Sequence, residues 1–91
     1  AKDTVRYHVD LLGLLGYYQA QAATRDEDVR HALQLMQLAM PYMAQPQLKL
    51  GAAEAHLRLG EREQAKVLVQ RVLAATPDMA EAKALLQRID G

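Results

Sequence analysis

Apolar residues recur along this chain at helical spacing, and nowhere do they alternate in the two-residue rhythm of a strand. Five segments carry the pattern. The first runs from about Thr4 to Thr24, with Asp3 or Thr4 able to cap it, and its apolar positions are Val5, Val9, Leu12, Leu15, Ala20 and Ala23. Gly13 and Gly16 fall in its middle, where each costs about 1 kcal/mol relative to Ala. A glycine pair so spaced either admits a neighbouring helix closely or breaks the helix locally. The second segment runs from about Asp28 to Met40, with Val29, Ala32, Leu33, Met36, Ala39 and Met40 on one face. Asp26, Glu27 and Asp28 precede it, where acids suit the positive end of a helix dipole. Pro41 is expected to end or kink it, because proline lacks a backbone donor and clashes with the preceding turn. Tyr42 to Gln45 form the connection.

Pro46 is well placed to open a third helix, to about Leu59. Gly60 then supplies the left-handed conformation that closes many helices. Glu61, Arg62 and Glu63 open a fourth, ending near Ala75 at a Thr76-Pro77-Asp78 corner, and a fifth runs from about Met79 to Ile89. No low-complexity stretch or linker interrupts this order.

Composition sharpens the picture. The chain has 91 residues, enough for one small domain, and a domain this size buries only about two thirds of its chain surface. Apolar residues make up 51%, yet Phe and Trp are absent, so Leu, Ala, Val and Met must fill the core beside four tyrosines. Ala and Leu are strong helix formers, and abundant Ala lets helices approach closely. The expected fold is all-α, a stack of antiparallel helix-turn-helix pairs.

Eleven basic and eleven acidic residues leave no net charge. A nucleic-acid binder needs a basic surface to displace counterions from phosphates, so none is expected; electrostatic docking on anionic membranes is disfavoured for the same reason. Cysteine is absent, which removes disulfides, thiolate metal sites and redox centres. Serine is absent too, so the commonest nucleophiles are missing. The most apolar run, Leu11 to Ala23, is too short for a bilayer, which takes about 20 apolar residues, and it lacks the pattern of a signal peptide. The chain reads as soluble, cytoplasmic by default, or periplasmic if a signal or anchor was removed. Its start at Ala1-Lys2-Asp3 reads as that of a segment cut from a longer protein.

The span from Pro46 to Pro77 carries the most specific pattern. Counted from Pro46 in a 34-residue unit, Ala53, Gly60, Ala65, Val69 and Pro77 stand where a helix-pair repeat needs a small residue, a turn, a second small residue, an apolar residue and a corner. This resembles a degenerate tetratricopeptide repeat. Lys49, Ala52 and His56 depart from it, since the family has bulkier apolar or aromatic residues there. Shifted back by 33 residues, Ala20, Ala32, Met36 and Met40 fall on Ala53, Ala65, Val69 and Leu73. The resemblance thus divides the chain into a diverged repeat (4–45), a clearer one (46–79) and a capping helix (80–91).

The resemblance implies a protein–protein interaction module, an adaptor or scaffold that captures a peptide or helix in a concave groove lined by the first helix of each unit. Carried over by position, the groove residues are Leu14, Tyr17, Tyr18 and Gln21, then Gln47, Leu50, Glu54, Leu57 and Arg58, then Glu81, Ala84 and Arg88. Tyr and Arg are enriched at binding hot spots. Leu50 and Leu57 are equally readable as core. Some relatives clamp a carboxylate terminus with Lys and Asn where this chain has Tyr17 and Gln21, so that clamp is not expected. A homo-oligomer formed through Leu11, Leu14, Leu15 and Tyr18 is the alternative.

No catalytic activity, cofactor or metal is expected. His8, His31 and His56 lie on three different helices without the spacing of a helical zinc site, and His56 reads as a substitute for the packing aromatic of the repeat. Asp26, Glu27 and Asp28 lack the glycine and later glutamate of a calcium loop. Gly13-Leu14-Leu15-Gly16 has neither the preceding strand nor the lysine of a phosphate loop.

Overall fold

The computed structural model describes residues 2–43 and 45–91, with side chains from residue 8 onward. Among these residues there are five α-helices: α1 (Lys2–Ala22), α2 (Asp26–Ala39), α3 (Pro46–Arg58), α4 (Arg62–Ala75) and α5 (Ala80–Asp90). A single 3-10 turn, Met40–Tyr42, follows α2. Each helix lies within two or three residues of its expected bounds. The proposed caps Asp3 and Thr4 lie outside the residues whose side chains are described.

The helix ends follow from local chemistry. Pro41 sits in the 3-10 turn that terminates α2, as a missing donor requires. Pro46 occupies the first turn of α3, where its lost N–H has no partner to miss. Gly60 has φ +79°, and the chain closes α3 there with paired bonds: Glu61 N–H donates to the His56 carbonyl at 2.8 Å and Gly60 N–H to that of Leu57 at 3.1 Å. Asp26, Glu27 and Asp28 all fall in the first turn of α2, with Arg25 as N-cap.

Consecutive helices pack antiparallel: α1 against α2, α3 against α4, and α5 against α4. α1 and α5 also touch α3, which therefore lies between them. The described residues extend 45 × 31 × 18 Å, an elongated slab in keeping with stacked pairs. The core runs continuously through the stack, from Ala20, Val29 and Met36 to Ala53, Ala65 and Val69, and on to Leu85 and Ile89.

The inward face of α1 is made of its small residues. Leu12 and Leu15, two of the apolar positions at helical spacing, are 37% and 49% exposed, whereas Gly13, Gly16 and Ala20 point inward with half-buried Val9 beside them. The reason is the closeness of the crossing. A Cβ on Gly16 would stand 2.8 Å from the Ala32 carbonyl oxygen and 2.9 Å from Leu35 Cβ, and one on Gly13 would stand 2.9 Å from Ala39 Cβ. The glycine pair is therefore a contact surface within an unbroken helix, and the larger leucines are turned outward. On α2 the expected face is the buried one, apart from half-buried Met40.

Charged side chains tie the stack at its ends. His56 is 7% exposed, and its Nδ1 lies 3.0 Å from Glu61 Oε1. Glu61 Oε2 lies 3.6 Å from Arg30 of α2. His56 thus occupies the aromatic position of the repeat pattern with its polar edge satisfied. Arg62 donates to the Ile89 carbonyl and Lys66 pairs with Asp90 at 3.0 Å, fastening α5 to α4.

Two outcomes test this packing. Gly16→Ala gains about 1 kcal/mol of helix propensity but drives a methyl into a backbone oxygen that has little freedom to move, a cost of about 1–3 kcal/mol. Chemical denaturation should show a net loss; a stabilised variant would contradict the close crossing. The carboxyl of Glu61 is held below its ordinary value, first by the hydrogen bond with His56 and then by the attraction of Arg30. Its stabilising contribution is complete above the unfolded-state value and is lost as pH falls through the lowered folded one. Glu61→Gln should therefore melt at a lower temperature than the parent at pH 7, with the gap closing in acid. A gap independent of pH would contradict this.

Candidate functional site

α1, α3 and α5 present one continuous face, and three adjoining hollows of about 250, 270 and 270 Å³ run along it. Tyr17 lines all three. Its position follows from the glycine at 51: the Tyr17 ring covers α3 so closely that a Cβ on Gly51 would stand 2.6 Å from Tyr17 Cδ2. Tyr18 meets Tyr17 edge to face, with ring centroids 5.6 Å apart at 81°.

The first hollow joins α3 to α5 through Gln47, Leu50 and Glu54 on one side and Glu81, Ala84 and Arg88 on the other. The second joins α1 to α3 through Gln21, Glu54 and Arg58. The third, about one turn nearer the start of α1, is lined by Leu14, Tyr17, Tyr18, Gln47 and Leu48. Every expected groove residue except Leu57 therefore falls on this one face. Leu57 lines none of the hollows; it is half-buried against the core, one of the two readings its sequence left open.

Two of the expected binders have structural duties as well. Leu50 is only 6% exposed, so it forms the floor of the groove and part of the core together. Arg58 reaches across to the end of α1, where its guanidinium donates to the Ala20 carbonyl at 2.6 Å and to that of Ala23. These carbonyls belong to the last turn of α1 and the residues just beyond, so a cation there satisfies free acceptors and complements the dipole. Sequence spacing places Arg58 on the groove face but carries no sign of this bond, because the acceptors are backbone atoms 38 and 35 residues earlier.

Glu54, Glu81 and Arg88 are exposed and make no hydrogen bond or ion pair among the described residues, so their charges stand available along the groove. Gly51 and Gln45 also line it and were not expected there. His8 and His31 are exposed, and among the described residues no group of metal-ligating side chains gathers. No helix of the described residues is long and apolar enough to cross a membrane.

A face formed by alternate helices, floored by small residues, is what stacked helix pairs produce. A family model for the tetratricopeptide repeat matches residues 20–89. The chain belongs to the tetratricopeptide repeat family. No curated protein and no solved structure matches it. Tetratricopeptide repeats act as protein-interaction modules whose stacked units expose extended concave surfaces. In this member the matched span takes in the end of α1, all of α2, α3 and α4 and all but the last residue of α5, and with them every lining residue of the first two hollows except Tyr17.

Removing the Arg58 guanidinium should loosen α1. Arg58→Ala is expected to cost about 1 kcal/mol and to speed amide exchange in the last turn of α1, with Arg58→Lys restoring only part, since an ammonium cannot span both carbonyls. Unchanged exchange in that turn would contradict the bridging role.

Proposed function

We propose that this tetratricopeptide repeat protein is an adaptor or scaffold that captures a peptide or helix of a protein partner in the groove between α1, α3 and α5. The observation that carries this reading is the single run of hollows centred on Tyr17. Tyr17 and Tyr18 offer flat apolar surface with polar tips, while Glu54, Glu81 and Arg88 offer unpaired charge of both signs. Leu14, Gln21 and Leu50 complete the contact surface. In this reading residues 4–45 form a diverged repeat, 46–79 the clearer one and 80–91 a capping helix. Burial supports it: Ala20, Ala32 and Met36 are buried, and so are Ala53, Ala65 and Val69 one period later.

A second reading draws on the outer side of α1, where Leu11, Leu14 and Leu15 are 46%, 45% and 49% exposed and Tyr18 is 63% exposed. A copy of the chain packed there would cover these residues and also occlude the end of the groove lined by Leu14 and Tyr18.

Affinity capture separates the two when run with Tyr18→Ala and Arg88→Ala, both at exposed positions, and with each variant's melting curve recorded. Groove capture predicts a partner held by the parent and lost by both variants at unchanged melting temperature. Capture by Arg88→Ala equal to the parent's contradicts the groove. If the parent retains only itself, and its mass in solution rises with concentration until Leu15→Ala abolishes the rise, the self-associating reading holds instead.

A further inference from the structure

A hollow larger than any of the three along the groove lies away from it. It has a volume of about 600 Å³ and runs between the end of α2, α3 and α4. α2 and α4 scarcely touch each other, so α3 shows between them as a floor through Lys49 and His56. By helical spacing these two stand on the opposite side of α3 from Gln47, Gly51 and Glu54, so the furrow and the groove use opposite faces of the same helix.

The furrow has a definite chemistry. Met40, Pro41, Val67 and Leu68 form apolar walls, and Val67 is 46% exposed. Two cations, Lys49 and Arg71, lie along it, and no carboxylate lines it. Neither cation makes a hydrogen bond or ion pair among the described residues. The remaining polar residues at its edge, Gln37 and Gln64, are neutral. His56 is pinned from behind by Glu61, so the floor is firm. On a chain of no net charge, the furrow is a local excess of positive charge along an apolar trough. An amphipathic helix docks by laying an apolar stripe into such a trough, and carboxylates beside that stripe would meet the two cations.

We propose that this furrow is a second docking surface that takes an acidic amphipathic helix of a protein partner, independently of the groove. The partner's apolar stripe packs on Met40, Val67 and Leu68, and its carboxylates pair with Lys49 and Arg71. A module with docking sites on both faces of α3 joins two partners at once.

The test is a charge swap read by fluorescence anisotropy. The probe is a synthetic helical peptide with leucines at i and i+4 flanked by glutamates; its counterpart carries lysines for the glutamates. The glutamate peptide is expected to bind the parent, to bind Arg71→Glu at least about tenfold more weakly, and to bind the exposed groove variant Arg88→Ala as it binds the parent. The lysine peptide is expected to prefer Lys49→Glu/Arg71→Glu over the parent, and a preference already present in Arg71→Glu alone serves if the double variant does not fold. Equal binding of the glutamate peptide to parent and Arg71→Glu overturns the proposal. So does a loss shared by Arg88→Ala, which places the peptide in the groove. Self-association of the parent that Arg71→Glu abolishes, with no peptide bound, also overturns it, in favour of a second copy in the furrow.

Discussion

Everything in this fold depends on how closely its helices cross. The chain has no Phe or Trp and, among the described residues, no fully buried tyrosine to fill the space between helices set wide apart, so the backbones themselves must come together. They do so over glycine and alanine. Gly16 lies against the Ala32 carbonyl, Gly13 against Ala39, and Ala53 and Ala65 are wholly buried in the second pair. Dispersion between closely spaced backbones replaces the area that large side chains would bury. The same closeness places Tyr17 over Gly51, and so fixes the residue around which all three hollows of the groove are arranged.

The charges divide into those that hold the stack and those that remain available. Arg58 holds the end of α1, Arg62 and Lys66 hold α5, and Glu61 joins His56 to Arg30. Glu54, Glu81 and Arg88 on the groove, and Lys49 and Arg71 in the furrow, have no such duty among the described residues. α3 is the element common to both surfaces. It lies between α1 and α5 on one side and floors the space between α2 and α4 on the other. A binding surface whose residues are fixed on packed helices is largely formed before a partner arrives, which lowers the ordering cost of association.

Much of this was legible in the sequence because it is local. Helix ends at Pro41, Pro46 and Gly60 follow from the dihedral and donor properties of single residues, and the α2 face follows from periodicity. The groove side of α1 and α3 was legible through the repeat pattern, which fixes which positions share a face. Three things were not. Periodicity weighs leucine above glycine, so it left open whether Gly13 and Gly16 admit a neighbour or break α1, whereas the close crossing selects for smallness and turns Leu12 and Leu15 outward. The bond from Arg58 to the end of α1 was also invisible, because backbone carbonyls carry no residue identity. The furrow escaped notice for a third reason: it exists only because α2 and α4 separate, a property of how helix pairs stack rather than of any one helix.

The central claim is that a partner seats on the α1, α3 and α5 face. The most direct measurement is amide hydrogen exchange of the chain alone and in complex with a protein that it captures. The account predicts protection concentrated in α1 around Tyr17 and Tyr18, in the groove side of α3 and in α5 around Arg88, with α4 unchanged. Protection confined to α2 and α4, with Tyr17 and Arg88 regions exchanging as in the free chain, would contradict it.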